Sequence, residues 1–214
     1  MPFTKSQIRD LYKKRAANYD VLANLYYLIG FRENKYRKIA VEKLDLEQGD
    51  TVVEIGCGTG LNLRFLRNAV GEEGKIIGVD HTEEMLLKAR ERSEAKGWHN
   101  IKLVYVDAAN YEFPHKTNGV LSTFALTLIP EYEEVISRAS LTLNSQGKMV
   151  VFDLKKPDQW PFWLVQLGVL ITKPFGVTLD LSERKPWEAM SKYFAKVTMH
   201  ELYGGFAYIA VGEK

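Results

Sequence analysis

The residues best suited to chemistry are three glycines within five positions, Gly56, Gly58 and Gly60. Glu54 precedes them by two positions, and Asp80 ends a second apolar run further along the chain. Because glycine has no Cβ, the backbone at this point can lie directly against a ligand. An ionised carboxylate can accept hydrogen bonds from both hydroxyl groups of a ribose. The pattern therefore predicts a site for a nucleotide-like ligand.

Two runs of apolar residues must hold this glycine cluster in place. Residues 51–55 are short, apolar and β-branched, which predicts a buried parallel strand. From Leu61 to Leu66 the apolar residues recur at a helical spacing, which predicts a helix over 59–69. A strand, a glycine turn and a helix begin a βαβ unit, and the free N–H groups of the helix point to the same place.

The alternation of strands and helices continues beyond this unit. Further strands are predicted over 75–80, 101–106, 119–126 and 148–153, and further helices over 82–96 and 132–143. The last two strand-like runs, 197–203 and 206–211, flank a Gly-Gly pair and predict an antiparallel hairpin. The expected fold is α/β: a Rossmann-like, doubly wound sheet of seven strands with a C-terminal antiparallel hairpin.

Two segments flank this core and are expected to shape the site. The first contains an amphipathic helix over 5–20 and a more charged helix over 33–45, which predicts a helical cap over the ligand edge of the sheet. The second contains an apolar stretch that is too short to span a bilayer. It is expected either to cover the sheet edge as a buried helix or to form a lid over an apolar substrate. The chain is predicted to be one domain made of a cap (1–50), a core (51–153), a lid (154–195) and a closing hairpin (196–214).

Taken together, the glutamate, the Gly-x-Gly-x-Gly loop, the carboxylates that end two strands and the terminal hairpin resemble the class I S-adenosylmethionine-dependent methyltransferases. The resemblance covers nearly all of 51–153 and the hairpin. It implies S-adenosylmethionine as the cofactor and S-adenosylhomocysteine as the product. It further implies these cofactor contacts: Glu54, Gly56, Cys57, Gly58 and Gly60 at the methionine part, Asp80 at the ribose, Asp107 and Ala108 near the adenine, and Phe124 at the methyl-transfer region. His81, directly after Asp80, departs from the usual pattern and is expected either to pack near the adenine as a further cofactor contact or to be exposed.

Tyr12, Tyr19 and Asp153 are the main candidates for catalysis, and His81 is a further candidate for the general base. The segment 15–20 resembles an N-terminal part of quinone-type C-methyltransferases and small bacterial phospholipid N-methyltransferases. Tyr12 and Tyr19 are therefore candidates that reach the cofactor or the substrate from the cap, and packing as core aromatics explains them equally well. Asp153 ends the fifth strand at the ligand edge, where catalytic groups often lie. A role as the cap of a following helix fits Asp153 as well.

The sequence thus predicts methyl transfer to a small apolar or amphipathic acceptor, such as a lipid headgroup, a quinone-like molecule or a small metabolite. Two alternatives stay open: a non-catalytic S-adenosylmethionine-binding regulator, and an NAD(P)-dependent oxidoreductase, whose usual Gly-x-Gly-x-x-Gly spacing is missing. The lack of an Asn-Pro-Pro-Tyr element and a net charge of +2 argue against nucleic acid as the partner. The four histidines show no metal-ligand spacing.

The expected location follows from the same composition. A single cysteine and the lack of a secretory apolar region predict a cytoplasmic protein. Trp160 and Trp163 lie among apolar residues and lysines in 157–175, a composition that suits contact with a membrane surface. This contact stands beside the simpler interpretation of a core helix, and the sequence leaves the oligomeric state open.

Overall fold

A computed structural model describes residues 4–20, 30–173, 176–178, 181 and 183–214. They form one seven-stranded sheet with helices packed on both faces. The strands are β1 (Thr51–Ile55), β2 (Lys75–Asp80), β3 (Ile101–Tyr105), β4 (Thr117–Thr123), β5 (Leu143–Leu154), β6 (Lys196–Leu202) and β7 (Ala207–Glu213). The helices are α1 (Lys5–Arg15), α2 (Glu33–Glu42), α3 (Leu63–Val70), α4 (Glu83–Glu94), α5 (Tyr132–Thr142), α6 (Phe162–Thr172) and α7 (Pro186–Met190).

The strand order is β3-β2-β1-β4-β5-β7-β6. Strands β1 to β5 run parallel, and β7 lies antiparallel between β5 and β6. The chain order reverses between β1 and β4, which opens a crevice at the carboxyl ends of these strands. The predicted α/β sheet of seven strands with a C-terminal antiparallel hairpin is confirmed.

The central strand β1 shows why the sheet is covered on both faces. Val52 packs into one apolar layer and Val53 and Ile55 pack into the other, and all three are fully buried. Successive side chains of a strand point to opposite faces, so a parallel strand between two helical layers needs a continuous apolar run. This run places the glycine loop that follows β1 at the crevice.

Strand β4 ends earlier than the sequence predicts, at Thr123 instead of residue 126. The backbone of Phe124 turns to a φ of +55°, and residues Leu126–Leu128 form a 3₁₀ turn. Strand β5 begins earlier, at Leu143, because a bulge takes up residues 144–147, which were predicted as a loop. The bulge lies where the pairing with β4 shifts register.

The helices keep their predicted order but are shorter. Helix α1 ends at Arg15 rather than residue 20, because the chain turns there and brings Asp20 onto the core. The hairpin connection takes four residues, 203–206, instead of the two glycines alone. Residues 21–29 of the predicted cap lie outside the described residues. None of the described helices has the length and apolar composition needed to cross a bilayer.

Candidate active site

The glycine loop between β1 and α3 lies against open space. Gly56 and Gly58 have φ angles of +67° and +53°, a region that glycine enters at low cost. A Cβ on Gly56 would lie 2.2 Å from the Cβ of Ala125, whereas a Cβ on Gly58 would meet nothing within 4 Å. Packing and backbone angle therefore both require the first glycine. The second leaves the loop backbone open to a ligand.

Asp80, the last residue of β2, is fixed by two backbone donors. Its Oδ2 accepts a hydrogen bond from the Gly58 N–H and its Oδ1 accepts one from the Thr82 N–H, each at 2.9 Å. Burial raises the pKa of the Asp80 carboxyl, and the two N–H groups oppose this rise. Each carboxylate oxygen keeps a further acceptor position. The group can therefore accept hydrogen bonds from a ligand beside the loop.

Glu54 on β1 carries a buried oxygen without a partner. Its Oε1 accepts a hydrogen bond from the Nδ2 of Asn62 at 2.5 Å, whereas its Oε2 has no hydrogen-bond partner among the described residues. Burial raises the pKa of the Glu54 carboxyl to about 7. An unpartnered buried carboxylate oxygen costs free energy. A ligand that brings a hydrogen-bond donor, such as an ammonium group, would remove that cost.

The glycine loop faces a cavity of about 760 Å³, including its open mouth, which we call the loop cavity. Helix α1, the loop after β1 and the ends of β2 and β4 contribute to its wall. Its lining contains seven of the ten residues that the sequence assigns to the cofactor: Gly56, Gly58, Asp80, His81, Asp107, Ala108 and Phe124. The structure thus brings residues from four separate parts of the chain to one space.

The other three assigned residues, Glu54, Cys57 and Gly60, are not part of this lining. Cys57 is buried, and its Sγ lies 2.8 Å from where a Cβ on Gly78 would stand. Burial raises the pKa of the Cys57 thiol well above its ordinary value, so the thiol keeps its proton at neutral pH. Gly60 allows the loop to pack closely, since a Cβ there would lie 2.5 Å from Leu63.

A second cavity adjoins the first and is mainly apolar; we call it the apolar cavity. It encloses about 1050 Å³, including its open mouth. Val165 and Val169 of α6 and Phe206 of the hairpin connection line it, and so does Asp153. Four residues line both cavities: Tyr12, Tyr19, Phe124 and Leu128. The two spaces therefore meet at these side chains.

Asp153 is the buried carboxylate of the apolar cavity. Its Oδ2 accepts hydrogen bonds from the N–H and the hydroxyl of Thr127, at 3.1 and 2.8 Å, and its Oδ1 accepts one from the Leu154 N–H. Burial raises the pKa of the Asp153 carboxyl to about 6. The carboxylate is thus ionised at neutral pH and still within reach of protonation. The nearest following helix, α6, begins only at Phe162, so Asp153 does not cap it.

Tyr12 and Tyr19 of the cap lie where the two cavities meet, with ring centroids 6.0 Å apart. Burial raises the pKa of the Tyr19 phenol above its ordinary value. A phenol in this state keeps its proton at neutral pH. It is therefore suited to donating a hydrogen bond rather than to accepting a proton.

Helix α1 and the turn that follows it are held beside the loop cavity by charged and polar contacts. Lys5 of α1 forms ion pairs with Asp107 and with Glu131, each at 2.7 Å. Burial alone would raise the pKa of Asp107, but hydrogen bonds from Lys5 and a backbone N–H outweigh it and lower this pKa. After the turn that follows α1, Asp20 accepts a hydrogen bond from the Thr59 hydroxyl at 2.6 Å and also binds Arg92. The cap is thus tied to the glycine loop itself.

Comparison with known proteins shows which proteins the chain resembles. A family described as "Methyltransferase domain" matches residues 52–147. Demethylmenaquinone methyltransferase of Geobacillus stearothermophilus is 28% identical over 160 residues, and that of Staphylococcus saprophyticus is 30% identical over 155 residues. These matches support a class I S-adenosylmethionine-dependent methyltransferase. These alignments cover 74% and 72% of the chain, and 67% and 64% of the respective relatives.

Solved structures show that this methyltransferase shares its fold with other members of the class. A SAM-dependent methyltransferase from Aquifex aeolicus has a TM-score of 0.62 and 19% identity, over 82% of this chain and 88% of that one. Phosphoethanolamine N-methyltransferase 2 from Haemonchus contortus has a TM-score of 0.67 and 18% identity, over 91% of this chain and 46% of that one. The expected methyltransferase identity is confirmed, and the oxidoreductase alternative is not supported.

The residues of this methyltransferase fit S-adenosylmethionine. Gly58 lacks a side chain where the loop backbone must approach the ligand. Asp80 offers acceptors for hydroxyl groups, and the unpartnered Oε2 of Glu54 calls for a donor. Aromatic faces suit a sulfonium cation, and the Phe124 ring lines the same space.

Sequence analysis missed a buried polar network beside the site. Arg37 of α2 binds Glu33 through its Nε at 2.7 Å, and its Nη1 donates to the Thr123 hydroxyl at 2.5 Å and to Asn62 at 3.3 Å. Its guanidinium lies 5.1 Å from the ring centroid of Phe124. A signal was present in the sequence, because these two charged residues share the helical face of the apolar residues of α2.

Proposed function

We propose that this methyltransferase moves a methyl group from S-adenosylmethionine to an amphipathic acceptor of the quinone-like class, a polar ring with an apolar tail. The observation that carries the proposal is the apolar cavity, which meets the loop cavity at Tyr12, Tyr19 and Phe124. A polar ring at this junction would lie beside the donor, and the tail would extend between α6 and the hairpin. The names of the two demethylmenaquinone methyltransferase relatives support the same class.

On the donor side, we assign the roles residue by residue. Asp80 accepts hydrogen bonds from the ribose hydroxyls, and Asp107 and Ala108 lie along the adenine. The glycine loop takes the methionine part, and Glu54 balances its ammonium group. S-adenosylmethionine supplies a methyl group that is already activated on a sulfonium. The protein therefore mainly has to position the acceptor and exclude water.

On the acceptor side, Asp153 is the candidate general base. Its raised pKa of about 6 lies close to the working range that general bases need. It lines the apolar cavity, where a ring hydroxyl or ring carbon must lose a proton. Tyr19 keeps its proton and can donate a hydrogen bond to a ring oxygen. Tyr12 is assigned to packing against the acceptor ring.

We also propose that the parts of the chain divide this work. The cap (1–50) closes the loop cavity, the core (51–153) binds the donor, the lid (154–195) covers the acceptor and the hairpin (196–214) completes the sheet. An acceptor with an apolar tail resides in a membrane, so we place the reaction at a cytoplasmic membrane surface, with the lid as the contact.

The test is methyl transfer from labelled S-adenosylmethionine to three acceptors: a short-tailed hydroxyquinone, phosphoethanolamine and a small catechol. The proposal expects C-methylation of the quinone, identified by mass spectrometry. Methylation of phosphoethanolamine or the catechol alone would overturn the acceptor class. Binding of S-adenosylmethionine in a calorimeter without transfer to any acceptor would instead favour a non-catalytic regulator.

A further inference from the structure

Helix α6 carries an unusual concentration of exposed apolar side chains. Among the described residues, nine large hydrophobic side chains are exposed, and five of them belong to this helix. They are Phe162, Trp163, Leu167, Leu170 and Ile171, with exposed fractions from 36% to 65%. Contiguous apolar patches on a protein surface mark sites of interaction, whereas single exposed residues need no explanation.

The helix has two distinct faces. Val165, Val169 and Thr172 line the apolar cavity. Two residues before each of these positions lies an exposed side chain: Trp163, Leu167 and Leu170. Two residues of an α-helix correspond to a rotation of about 200° around the helix axis. The outer face thus points away from the cavity wall, which the inner face of the same helix forms. Neither the core-helix interpretation nor the lid interpretation alone accounts for both faces.

The charges around α6 select one kind of partner. The helix itself contains no charged residue, and exposed lysines flank it, Lys156 before and Lys173 after. Asp158 is the acidic residue between Lys156 and the helix, and it forms an ion pair with Lys155 at 2.9 Å. An apolar face with lysines at both ends is complementary to a partner that has an apolar interior and a negatively charged surface. Lipid bilayers with anionic headgroups have this character.

We propose that the outer face of α6 docks on the surface of an anionic lipid bilayer, with Trp163 and Leu170 inserted among the acyl chains. The reason for such docking depends on the proposed function: an acceptor with an apolar tail would pass from the bilayer into the cavity beneath the same helix. A second copy of the chain is a poorer occupant. Five side chains expose only a few hundred Å², whereas a stable dimer buries about 800 Å² per partner.

The experiment is co-sedimentation of the full chain with vesicles, without cofactor or acceptor. Vesicles of phosphatidylcholine with phosphatidylglycerol are compared with vesicles of phosphatidylcholine alone. The wild-type protein is expected to bind the mixed vesicles more tightly. The double variant Trp163→Gln/Leu170→Gln should bind them at least about ten-fold more weakly, because two buried apolar side chains are lost.

The matched control is Leu87→Gln/Leu141→Gln, which changes two exposed leucines on α4 and α5. It should bind vesicles like the wild type. Equal vesicle binding by the α6 variant and the control, or no binding by the wild type, would overturn the proposal. So would a wild-type dimer, seen by light scattering, that the α6 variant dissociates. Methylation of the short-tailed acceptor needs no vesicle, so a failure of the proposed function would be seen separately.

Discussion

At the scale of single residues, two buried carboxylates face different chemistry. Asp80 lines the loop cavity and is oriented by two backbone N–H groups, whereas Asp153 lines the apolar cavity and is oriented mainly by Thr127. Burial raises the pKa of both groups. A carboxylate beside a glycine loop is suited to bind a diol. A carboxylate with a pKa of about 6 among apolar side chains is suited to accept a proton.

The first prediction concerns Asp80. Asp80→Ala should weaken S-adenosylmethionine binding by about 10- to 100-fold, because the ribose hydroxyls lose their charged acceptor. Titration calorimetry measures the dissociation constant directly. Asp45→Ala removes an exposed carboxylate that does not line the loop cavity, and it should leave this affinity unchanged. Wild-type affinity in the Asp80 variant would contradict the assignment of the donor site.

The second prediction concerns Glu54 and has a defined pH dependence. Its folded pKa of about 7 lies above the ordinary 4.5, so the folded chain holds this proton more tightly than the unfolded chain. The free energy of unfolding of the wild type should therefore rise as the pH falls from about 8 to about 5. Glu54→Gln has no charge to bury, so its melting temperature without ligand should exceed that of the wild type by roughly 5 °C at about pH 8.

At about pH 5 this difference between Glu54→Gln and the wild type should disappear, since the wild-type carboxyl is then protonated. Differential scanning fluorimetry across the pH range measures it. Glu72→Gln changes an exposed glutamate and should show no such trend. The Glu54 variant should also bind S-adenosylmethionine more weakly at about pH 8. A melting-temperature difference that stays constant with pH would rule out a buried ionised Glu54.

At the scale of elements, helix α2 attaches to the sheet through charge as well as apolar contact. Arg37 and Glu33 are both almost fully buried and bind each other, and Arg37 also binds Thr123 at the end of β4. Such a pair is costly to bury, but removing one member leaves an unpaired charge. The same arginine lies over Phe124, which lines both cavities. Arg37 therefore contributes both to the docking of α2 and to the position of a side chain that lines both cavities.

The third prediction tests this dependence. Arg37→Met should lower the free energy of unfolding by about 3–5 kcal/mol, because Glu33 stays buried without its partner. Urea denaturation measures the change. Glu33→Gln/Arg37→Met should recover at least about 1 kcal/mol, since the unpaired charge is then gone. Lys38→Met removes an exposed ion pair on the same helix and should cost less than about 1 kcal/mol. An Arg37 variant no less stable than the Lys38 variant would contradict the role of the pair.

The sequence predicted the helices and strands well where the local residue pattern favours the same conformation as the packing of the folded chain. The β-branched run of β1 and the glycines after it needed no information from elsewhere in the chain. The end of β4 could not be predicted, because Phe124 and its neighbours are good strand formers while the site forces a φ of +55° there. Arg37 was missed because charged residues are exposed by default. The two faces of α6 could not be separated, because all its residues but one are apolar or small.

At the scale of the whole molecule, segments before and after the central strands line two adjoining cavities. Helix α1 and the turn after it contribute to the wall of the loop cavity, and contacts of Lys5 and Asp20 hold them there. The segment around α6 and the hairpin connection enclose the apolar cavity. The sheet holds the proposed donor residues at the carboxyl ends of its strands. Donor binding and acceptor binding should therefore respond to separate sets of mutations, except at the residues that line both cavities.

The last prediction tests this separation. Val169→Trp should fill part of the apolar cavity without reaching the loop cavity, because Val169 lines only the former. With a short-tailed hydroxyquinone, the KM for the acceptor should rise at least about ten-fold, while the dissociation constant for S-adenosylmethionine stays within about two-fold. Steady-state kinetics and calorimetry measure the two quantities. Leu170→Trp places the same side chain on the outer face of the same helix and should change neither. An unchanged KM in the Val169 variant would mean that the acceptor binds elsewhere, and a loss of donor affinity would mean that the two cavities are not independent.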